Sequence, residues 1–316
     1  MPSEGPILTI GMPVYNEARH VGEAVESLLA QTHGDFVLHI SDNASTDESS
    51  EICQRLADRD SRIKYERQKV NLGSGRNWQH LLDSAETELF MWAGAHDRWA
   101  PTLIERLVPA LLSDGVILAY GRTQALDADG ALGAIWEDDH TNTSVTDPSE
   151  RFLGIVQRLG ICNMLHGIWR TETLRMSSLA RASFAIDVLL IAELAFEGCY
   201  KQVPEVLFNR RTVRSQETTR QRVARALSIV TGKEISEVPG WLNANVTFLR
   251  DHWEILENQR PELSRARELK LKALITPIIL RRHIMNPLVR EEVLPMLPSP
   301  LYNGLRAIWR QRPGAG

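Results

Sequence analysis

The sequence predicts an α/β protein with a mostly parallel sheet flanked by helices, followed by a helical C-terminal extension. The first 130 residues alternate short apolar segments with amphipathic ones, which is typical of strands alternating with helices. Beyond about Arg220 the pattern is helical, without strand-like segments. At 316 residues and 43% hydrophobic composition, the chain is long enough for roughly two domains with a substantial core.

Five segments of the first half are predicted strands. Each is short, apolar and rich in β-branched or aromatic residues. They are Ile7 to Val14, Phe36 to Asn43, Ile63 to Gln68, Glu88 to Ala95 and Val116 to Arg122.

The segments between these strands are predicted helices. One apolar face comprises Val21, Val25, Leu28 and Leu29, and another comprises Ile104, Leu107, Val108, Leu111 and Leu112. Ser45 with Glu48 predicts a capping box at the start of a helix through Ile52 and Leu56.

Polar side chains follow four of the predicted strands. In a parallel sheet the carboxyl ends of the strands share one edge, which is where ligands bind. The polar groups expected at this edge include Asn16, Glu17, Asp42, Asn43, Ser45, Asn71, His96 and Asp97. Asn16, Ser45 and Asp47 are, taken singly, more typical of helix caps than of ligand sites.

The composition excludes several classes of protein. No run approaches the ~18 apolar residues of a membrane span, and the first residues resemble no secretory leader, so we expect a cytoplasmic protein. Cys53, Cys162 and Cys199 are scattered, which argues against a disulfide framework or a cysteine zinc site. Basic residues are not interleaved with aromatic platforms, so no nucleic-acid partner is expected.

The C-terminal part is predicted to form a separate helical region, residues 219–316, after a first domain of residues 1–218. From Arg265 to Arg312 ten Lys or Arg stand against three Glu. One predicted helix face comprises Leu242, Val246, Leu249, Trp253 and Leu256, and another comprises Leu271, Leu274, Ile275, Ile278 and Ile279, with a kink or break near Pro277.

The segment Leu301 to Arg312 is a basic amphipathic helix by its pattern. Leu301, Leu305 and Trp309 share one side. Such a helix fits peripheral contact at the inner face of the membrane, and it equally fits packing on the protein's own body or in a homodimer. The sequence leaves these alternatives open.

Four motifs in order resemble those of family two glycosyltransferases. They are PVYNE (Pro13 to Glu17), DNASTD (Asp42 to Asp47), NLGSGRN (Asn71 to Asn77) and AHD (Ala95 to Asp97). The resemblance covers about the first 130 residues clearly and the first 215 loosely. It implies the GT-A nucleotide-sugar fold, which is Rossmann-like, and an inverting transfer of a sugar.

The resemblance also implies roles for single residues. Pro13, Tyr15 and Glu17 would line the nucleoside pocket, and Asp42 would accept a hydrogen bond from uracil. Arg76 would lie near the base and diphosphate. Asn71 belongs to the same motif, in which Gly73 would let the backbone turn close to the nucleotide.

Asp97 is the metal ligand that the resemblance implies, in an element whose final acid holds Mg²⁺ or Mn²⁺ against the diphosphate. A divalent ion there stabilises the leaving phosphate as a Lewis acid. Relatives often carry consecutive acids, whereas this chain has His96, Asp97 and Arg98. His96 suits Mn²⁺ better than Mg²⁺. Arg98 would pair with Asp97 or contact the diphosphate.

Asp187 is the candidate catalytic base for the acceptor hydroxyl, because it precedes a helix-length apolar run where the family has its catalytic acid. On sequence alone, capping the helix from Val188 to Phe196 is an equal alternative, and Glu193 is a second candidate. Asp138, Asp139 and His140 are predicted to form a mobile loop over the acceptor. Arg210, Arg211 and Arg214 are candidates for diphosphate contacts, although solvated surface positions are more common for arginines. The family's histidine three residues after an arginine is missing, since Val213 follows Arg210 at that spacing.

The sequence therefore predicts a metal-dependent inverting glycosyltransferase. It would move a sugar from a nucleotide donor, expected to be a UDP-sugar, to a hydroxyl of a glycan or lipid-linked saccharide. The alternative is a nucleotide-sugar-binding or scaffold protein on the same fold, with impaired turnover.

Overall fold

The fold is an α/β sheet with helices on both faces. The computed structural model describes residues 6–136, 145–177, 185–212, 218–231, 233–259 and 262–285. The strands are β1 Leu8–Val14, β2 Phe36–Asp42, β3 Ile63–Arg67, β4 Leu89–Trp92, β5 Arg98–Trp99, β6 Val116–Leu126, β7 Leu132–Trp136, β8 Ile168–Arg170 and β9 Cys199–Arg211. The α-helices are α1 Val21–Leu29, α2 Ser49–Ala57, α3 Ser74–Asp83, α4 Leu103–Leu107, α5 Pro148–Arg158, α6 Thr171–Arg175, α7 Ile186–Leu194, α8 Thr219–Thr231, α9 Trp241–Asn258 and α10 Arg265–Ile279. Short 3₁₀ segments cover Pro109–Leu112, Asn163–His166 and Ile235–Glu237, and a π-helical segment covers Leu280–Met285.

The sheet is mostly parallel, as predicted. Its order is β3-β2-β1-β4-β8-β6-β9-β5, with β7 paired to β6 outside this path. Strands β1 to β4 pair in parallel, and β6 pairs in parallel with β9. The short strand β8 lies antiparallel between β4 and β6. The five strands predicted from the sequence are confirmed as β1 to β4 and β6.

Two hydrophobic cores lie on opposite faces of the sheet, because successive side chains of a strand point to opposite sides. Strand β4 contributes to both cores. Leu89 and Met91 pack with α1 and α4, whereas Phe90 and Trp92 pack with α3, α5 and α7. The sheet is therefore covered on both faces, as parallel sheets generally are.

Helices α9 and α10 pack on the core formed by the first part of the chain. Phe248, Ile255 and Ile275 belong to the same buried cluster as Phe152 and Leu190. The predicted division at residue 218 stays a prediction, but α9 and α10 share their apolar contacts with the residues before it.

The predicted apolar face of α9 was wrong in part. Leu256 is buried and Leu249 packs against the core, as predicted, but Leu242 is 55% exposed and Val246 is 48% exposed. The buried face instead comprises Ala244, Asn245, Phe248, His252, Ile255 and Leu256. The buried face was not recognisable in the sequence because it contains two polar residues. Asn245 donates to the Trp241 carbonyl and His252 to the Phe248 carbonyl, both within the helix.

Helix α10 is continuous past Pro277, which corrects one of the two predicted alternatives, a break near that residue, whereas a kink there stays a prediction. The helix runs to Ile279 and passes directly into the π-helical segment Leu280–Met285. The predicted amphipathic helix from Leu301 to Arg312 lies outside the described residues. Within the described ranges, no helix combines the length and apolarity needed to cross a bilayer.

Candidate active site

The carboxyl ends of β1 and β2 form one edge of the candidate site, and their loops are joined by side-chain hydrogen bonds. The Asn16 backbone N–H donates to Ser45 Oγ at 3.0 Å, and the Glu17 N–H donates to Ser49 Oγ at 2.8 Å. Helix α2 starts at Ser49, and the residue before it, Glu48, makes no capping hydrogen bond with its side chain. The predicted capping box at Ser45 was therefore wrong. Ser45 is used to hold the neighbouring loop.

Both loops contain a residue with positive φ. Asn16 has φ of 56° and Ala44 has φ of 61°. Asparagine tolerates this left-handed region, whereas alanine adopts it at a cost. The Asn16 side chain also accepts from the Thr46 N–H at 2.8 Å. The turns after β1 and β2 are thus held in fixed conformations beside each other.

Asp42 lies at the end of β2, where the sequence predicted it, but its carboxylate is engaged within the protein. It is fully buried and accepts from the Ser45 N–H at 2.9 Å, the Ser50 hydroxyl at 2.5 Å and the Tyr65 hydroxyl at 3.2 Å. Arg67 Nε lies 3.3 Å away. Burial alone would raise the pKa of this carboxyl, but the hydrogen bonds from Ser45 and Ser50 outweigh it and lower the pKa.

Asn43, the next residue, connects β2 to the loop before α3. Its side chain donates to Asn71 Oδ1 at 2.9 Å and accepts from the Leu72 N–H at 2.8 Å. Asn71 Oδ1 also accepts from the Gly73 N–H at 2.8 Å. Gly73 has φ of 82° and precedes the first turn of α3, a conformation that favours glycine.

The remaining residues predicted for the nucleoside pocket differ in exposure. Tyr15 is 45% exposed and Arg76 is exposed, whereas Pro13 and Glu17 are half-buried. The ring of Tyr15 and the guanidinium of Arg76 are therefore open to solvent at this edge, near the loops that are joined by hydrogen bonds.

His96 and Glu17 face each other across the ends of β4 and β1. His96 Nδ1 lies 2.9 Å from Glu17 Oε1, and both side chains are partly exposed. Burial disfavours the charged imidazole, but the hydrogen bond to Glu17 and the charge of Asp97 outweigh it and raise the pKa of His96. A cation that binds His96 would have to displace its proton.

Asp97 is almost fully buried directly behind His96, with 2% of its surface exposed. Its Oδ1 accepts from the Arg211 backbone N–H at 2.8 Å, which fastens the end of β4 to the end of β9. Burial raises the pKa of this carboxyl, although His96 and the Arg211 N–H act in the opposite direction. Among the described parts of the chain, the carboxylate thus has a hydrogen-bond partner on one oxygen only.

The second oxygen of Asp97 borders a small space above Gly94. A Cβ added at Gly94 would lie 2.5 Å from Asp97 Oδ2 and 3.8 Å from His96 Nε2. The two atoms best suited to a divalent cation therefore border one space, which the absence of a side chain at Gly94 leaves open. One imidazole nitrogen and one carboxylate oxygen are donors that Mn²⁺ accepts.

Arg211 clamps this corner of the site. Its guanidinium donates to the carbonyls of His96 at 2.7 Å, Asp127 at 2.8 Å and Ala128 at 3.2 Å, and it pairs with Glu23 of α1. Its side chain is 3% exposed, which corrects the expectation of a solvated surface arginine. The contact between Arg211 and Glu23 was not predictable from the sequence, because Glu23 lies 188 residues earlier in the chain.

Arg98 takes a different partner from the one expected. It pairs with Glu23 at 2.9 Å and donates to the Gly130 carbonyl at 2.9 Å, instead of pairing with Asp97. Glu23 is therefore shared by Arg98 and Arg211. Among the residues that the structure describes, no side-chain cation is in direct contact with the carboxylate of Asp97.

Arg210 lies near the same site, on the strand that ends at Arg211. It donates to Asn163 Oδ1 at 2.7 Å, and its charge acts on Asp97, His96 and His166. His166 Nδ1 donates to the Trp92 carbonyl at 3.1 Å. Burial, followed by the charge of Arg210, lowers the pKa of His166 to about 3, so that its ring is neutral.

Asn163 and His166 were not predicted as site residues from the sequence. They lie on the 3₁₀ segment that precedes β8, a strand too short to be seen in the sequence. The topology brings this segment next to β4 and β6.

Asp187 is half-buried in the first turn of α7. The residue that precedes the helix is Ala185, which has no side-chain cap, so the alternative that Asp187 caps the helix was wrong. Glu193 lies on the same helix and is also half-buried. Asp138, Asp139, His140 and Arg214 lie outside the described residues.

Comparisons with known proteins agree with this architecture. The family model for glycosyl transferase family 2 matches residues 9–140. A glycosyltransferase of Haemophilus influenzae is 26% identical over 125 residues, which cover 40% of this chain and 50% of the relative. A glycosyltransferase of Nostoc is 33% identical over 104 residues (33% and 32%), and glycosyltransferase GlyG of Streptococcus pneumoniae is 25% identical over 136 residues (43% and 41%). The matched segment thus spans between 32% and 50% of the length of these relatives.

Two solved structures share the fold over nearly the whole chain. Residues 1–349 of Staphylococcus aureus TarS in complex with UDP-GlcNAc superpose with a TM-score of 0.62 at 16% identity, covering 97% of this chain and 81% of that one. The mannosyltransferase PcManGT of Pyrobaculum calidifontis, in complex with GDP-Man and Mn²⁺, gives a TM-score of 0.53 at 16% identity, covering 98% and 89%. These likenesses establish the GT-A-like fold.

Proposed function

We propose that this protein, whose residues 9–140 match the model of glycosyl transferase family 2, transfers a sugar from a nucleotide donor to an acceptor hydroxyl, with inversion and with a divalent metal ion. The observation that carries the proposal is the arrangement above Gly94. Asp97 Oδ2 and His96 Nε2 border one space at the end of β4, with Glu17 beside it and the charge of Arg210 acting on both donors.

The donor would lie along the edge formed by β1 to β4. The exposed ring of Tyr15 offers a stacking surface for a base, and Arg76 offers a cation at the start of α3. Gly73 allows a close approach of the backbone. Asp42 would bind uracil only after exchanging one of its present partners, such as Ser50.

The diphosphate would lie against His96, Asp97 and Arg210. A divalent ion held by Asp97 and His96 would supply Lewis-acid stabilisation of the negative charge that develops on the leaving diphosphate. Since Asp97 Oδ1 already accepts from Arg211, the protein offers few free ligands. We therefore expect weak metal binding by the free protein and stronger binding when the nucleotide contributes its phosphates.

Asp187 would act as the base that removes the proton of the acceptor hydroxyl. Its carboxylate is half-buried and does not cap α7. The acceptor would be a glycan or lipid-linked saccharide, reached from the cytoplasmic side of a membrane. The uridine nucleotide is supported by the UDP-GlcNAc complex of TarS, whereas the GDP-Man complex of PcManGT supports a guanosine nucleotide, so a donor screen must include both.

The first experiment is a thermal-shift screen of UDP- and GDP-sugars, each with and without Mn²⁺. We expect one nucleotide sugar to raise the Tm, and a larger rise with Mn²⁺. Hydrolysis or transfer of that donor is then measured for the wild type, Asp97→Asn and Asp187→Asn, with Asp58→Asn, an exposed acid at the end of α2, as the control.

Asp187→Asn should lower kcat by about 10²–10⁴-fold without loss of donor binding, because only the proton transfer is affected. Asp97→Asn should keep the acceptor for the Arg211 N–H and lose the metal-dependent part of donor binding. A protein that binds a nucleotide sugar but shows no turnover with either nucleotide would instead support the impaired binding protein. Full activity in both variants would refute the assignment of these residues.

A further inference from the structure

A second cluster of metal-ligating side chains lies away from the candidate active site. His39 of β2, Glu66 of β3 and His80 of α3 each offer one ligand atom, and the three atoms lie within 4.8 Å of one another. His39 Nε2 is 3.5 Å from Glu66 Oε1, and His80 Nε2 is in contact with the same oxygen.

One arrangement of the hydrogen bonds of His39 leaves a ring nitrogen free. The Ser84 hydroxyl has one proton and lies 3.1 Å from both the Leu81 carbonyl and His39 Nδ1. When it donates to Leu81, its Oγ accepts from His39 Nδ1–H. The other nitrogen, Nε2, then carries a lone pair. It is buried and makes no hydrogen bond, although the whole side chain is only 1% exposed.

The lone pair of His39 Nε2 faces the carboxylate of Glu66, which is also an acceptor. In this tautomer a cation between the two atoms would remove the repulsion between the two acceptors, which lie 3.5 Å apart. A neutral imidazole with a free lone pair is the form that binds a metal ion.

We propose that His39, Glu66 and His80 bind a transition-metal ion, best suited to Zn²⁺, at a site separate from the transfer reaction. Two imidazoles and one carboxylate are a ligand set that zinc uses, with bonds of about 2.0–2.1 Å. In a tetrahedron of that size two ligands lie about 3.3 Å apart, close to the 3.5 Å between His39 and Glu66.

The cluster also has the surroundings of a metal site. Ser84 orients His39, and Gln68 Nε2 donates to Glu66 Oε1 at 3.1 Å, as partners behind ligands commonly do. The side chains of Glu66 and His80 are 33% and 38% exposed, so the ion has a path from solvent and a water molecule can fill the fourth position. Because His80 is partly exposed, a rotation of its side chain would move the ring away from Glu66 and make room for the ion.

The bound ion would fasten α3 to the edge of the sheet. His39 lies three residues before Asp42, roughly 10 Å along β2 from the donor edge, and His80 lies on the helix that Gly73 begins. The ion would thus stabilise the helix whose first turn borders the donor site, without contacting the donor.

The test is a titration of the purified chain with Zn²⁺, and with Co²⁺ for its visible spectrum, in parallel with metal analysis. The variants His80→Ala and Glu66→Gln change the partly exposed ligands, which spares the buried His39. Gln79→Ala on α3 and Glu51→Gln on α2 are the matched controls. Asp97→Asn separates this site from the candidate active site.

We expect one equivalent of Zn²⁺ and a tetrahedral Co²⁺ spectrum for the wild type, both controls and Asp97→Asn. A hundredfold excess of Zn²⁺ over Kd should raise the Tm by about 4 °C. His80→Ala and Glu66→Gln should each weaken binding by more than about 10–100-fold, the range for loss of a supporting partner alone. Absence of stoichiometric binding by the wild type, or binding unchanged in both ligand variants, would overturn the proposal. Neither result depends on transfer activity.

Discussion

Replacement of Arg211 by methionine tests whether this residue holds the candidate active site together. Its guanidinium joins three parts of the chain, namely the His96 carbonyl after β4, the Asp127 and Ala128 carbonyls after β6, and Glu23 on α1. Methionine fills much of the same volume but donates no hydrogen bond. The backbone N–H that binds Asp97 is unchanged by the substitution.

The expected loss of stability follows from the partners left behind. Each charge-assisted hydrogen bond contributes about 1.5–3 kcal/mol. The carbonyls of Asp127 and Ala128 lie in an exposed loop where water can replace the lost donor, so their share is small. The contacts to His96 and Glu23 then dominate. Because Glu23 is 41% exposed and keeps its ion pair with Arg98, the expected total cost is about 2–3 kcal/mol. For a chain of 316 residues the Tm should fall by roughly 3–5 °C.

Arg210→Met is the matched control, because it lies on the same strand and is half-buried. It loses the hydrogen bond to Asn163 Oδ1, with an expected cost of about 1–2 kcal/mol. Urea denaturation followed by circular dichroism gives the free energy of unfolding of the three proteins, and the slopes should agree among them.

The result that would refute the reasoning is an Arg211→Met variant within 1 kcal/mol of the wild type, or one more stable than Arg210→Met. Either would mean that water or a rearranged loop replaces the guanidinium at no cost. Arg211→Lys adds a second check, since a lysine cannot span the same carbonyls with a planar group and should recover only part of the loss.

Three further predictions concern single substitutions. Gly94→Ala should leave the free energy of unfolding within about 1 kcal/mol of the wild-type value. It should lower Mn²⁺-dependent donor binding at least tenfold, because the new methyl would lie 2.5 Å from Asp97 Oδ2. Unchanged donor binding in calorimetry would contradict this prediction. His166→Gln should reduce the acid sensitivity of the fold, because the pKa of His166 is lowered to about 3 by burial and then Arg210. The wild type should lose about 2 kcal/mol more than the variant between pH 6.5 and 5 in urea titrations, as the unfolded chain takes up a proton that the folded chain refuses. Asp147→Ala should destabilise by about 1–2 kcal/mol at pH 7, since Asp147 caps α5 and pairs with Arg267 of α10; this pairing and the burial that opposes it leave its pKa lowered, so the contribution is present above its ordinary pKa and disappears as the pH falls through the lowered value.

The first half of the fold was predictable because its strands are local patterns. Each of β1 to β4 is a short apolar segment followed by polar residues, and the order of such segments is enough to place their carboxyl ends together. Strand β8 has only three residues, and β9 carries polar residues and Pro204 among its apolar ones. Their identity as strands depends on neighbours that are distant in sequence.

The site was predictable in part for the same reason. His96 and Glu17 lie together because both follow strands of the parallel edge. The burial of Asp97 and Arg211 was not predictable, because a buried charge depends on partners contributed by other parts of the chain. The face of α9 failed in a similar way, since the buried His252 satisfies its ring through the Phe248 carbonyl.

The order of the strands bears on how this protein diverged from its relatives. The segment recognisable by family, residues 9–140, ends before β8 and β9. Yet β8 lies between β4 and β6, and β9 lies between β6 and β5. The part of the chain after residue 140 therefore contributes strands to the interior of the sheet and not only to its edge. A fragment that ended at residue 140 would lack two interior strands. The segment that matches the family model is therefore not a unit whose sheet is complete by itself.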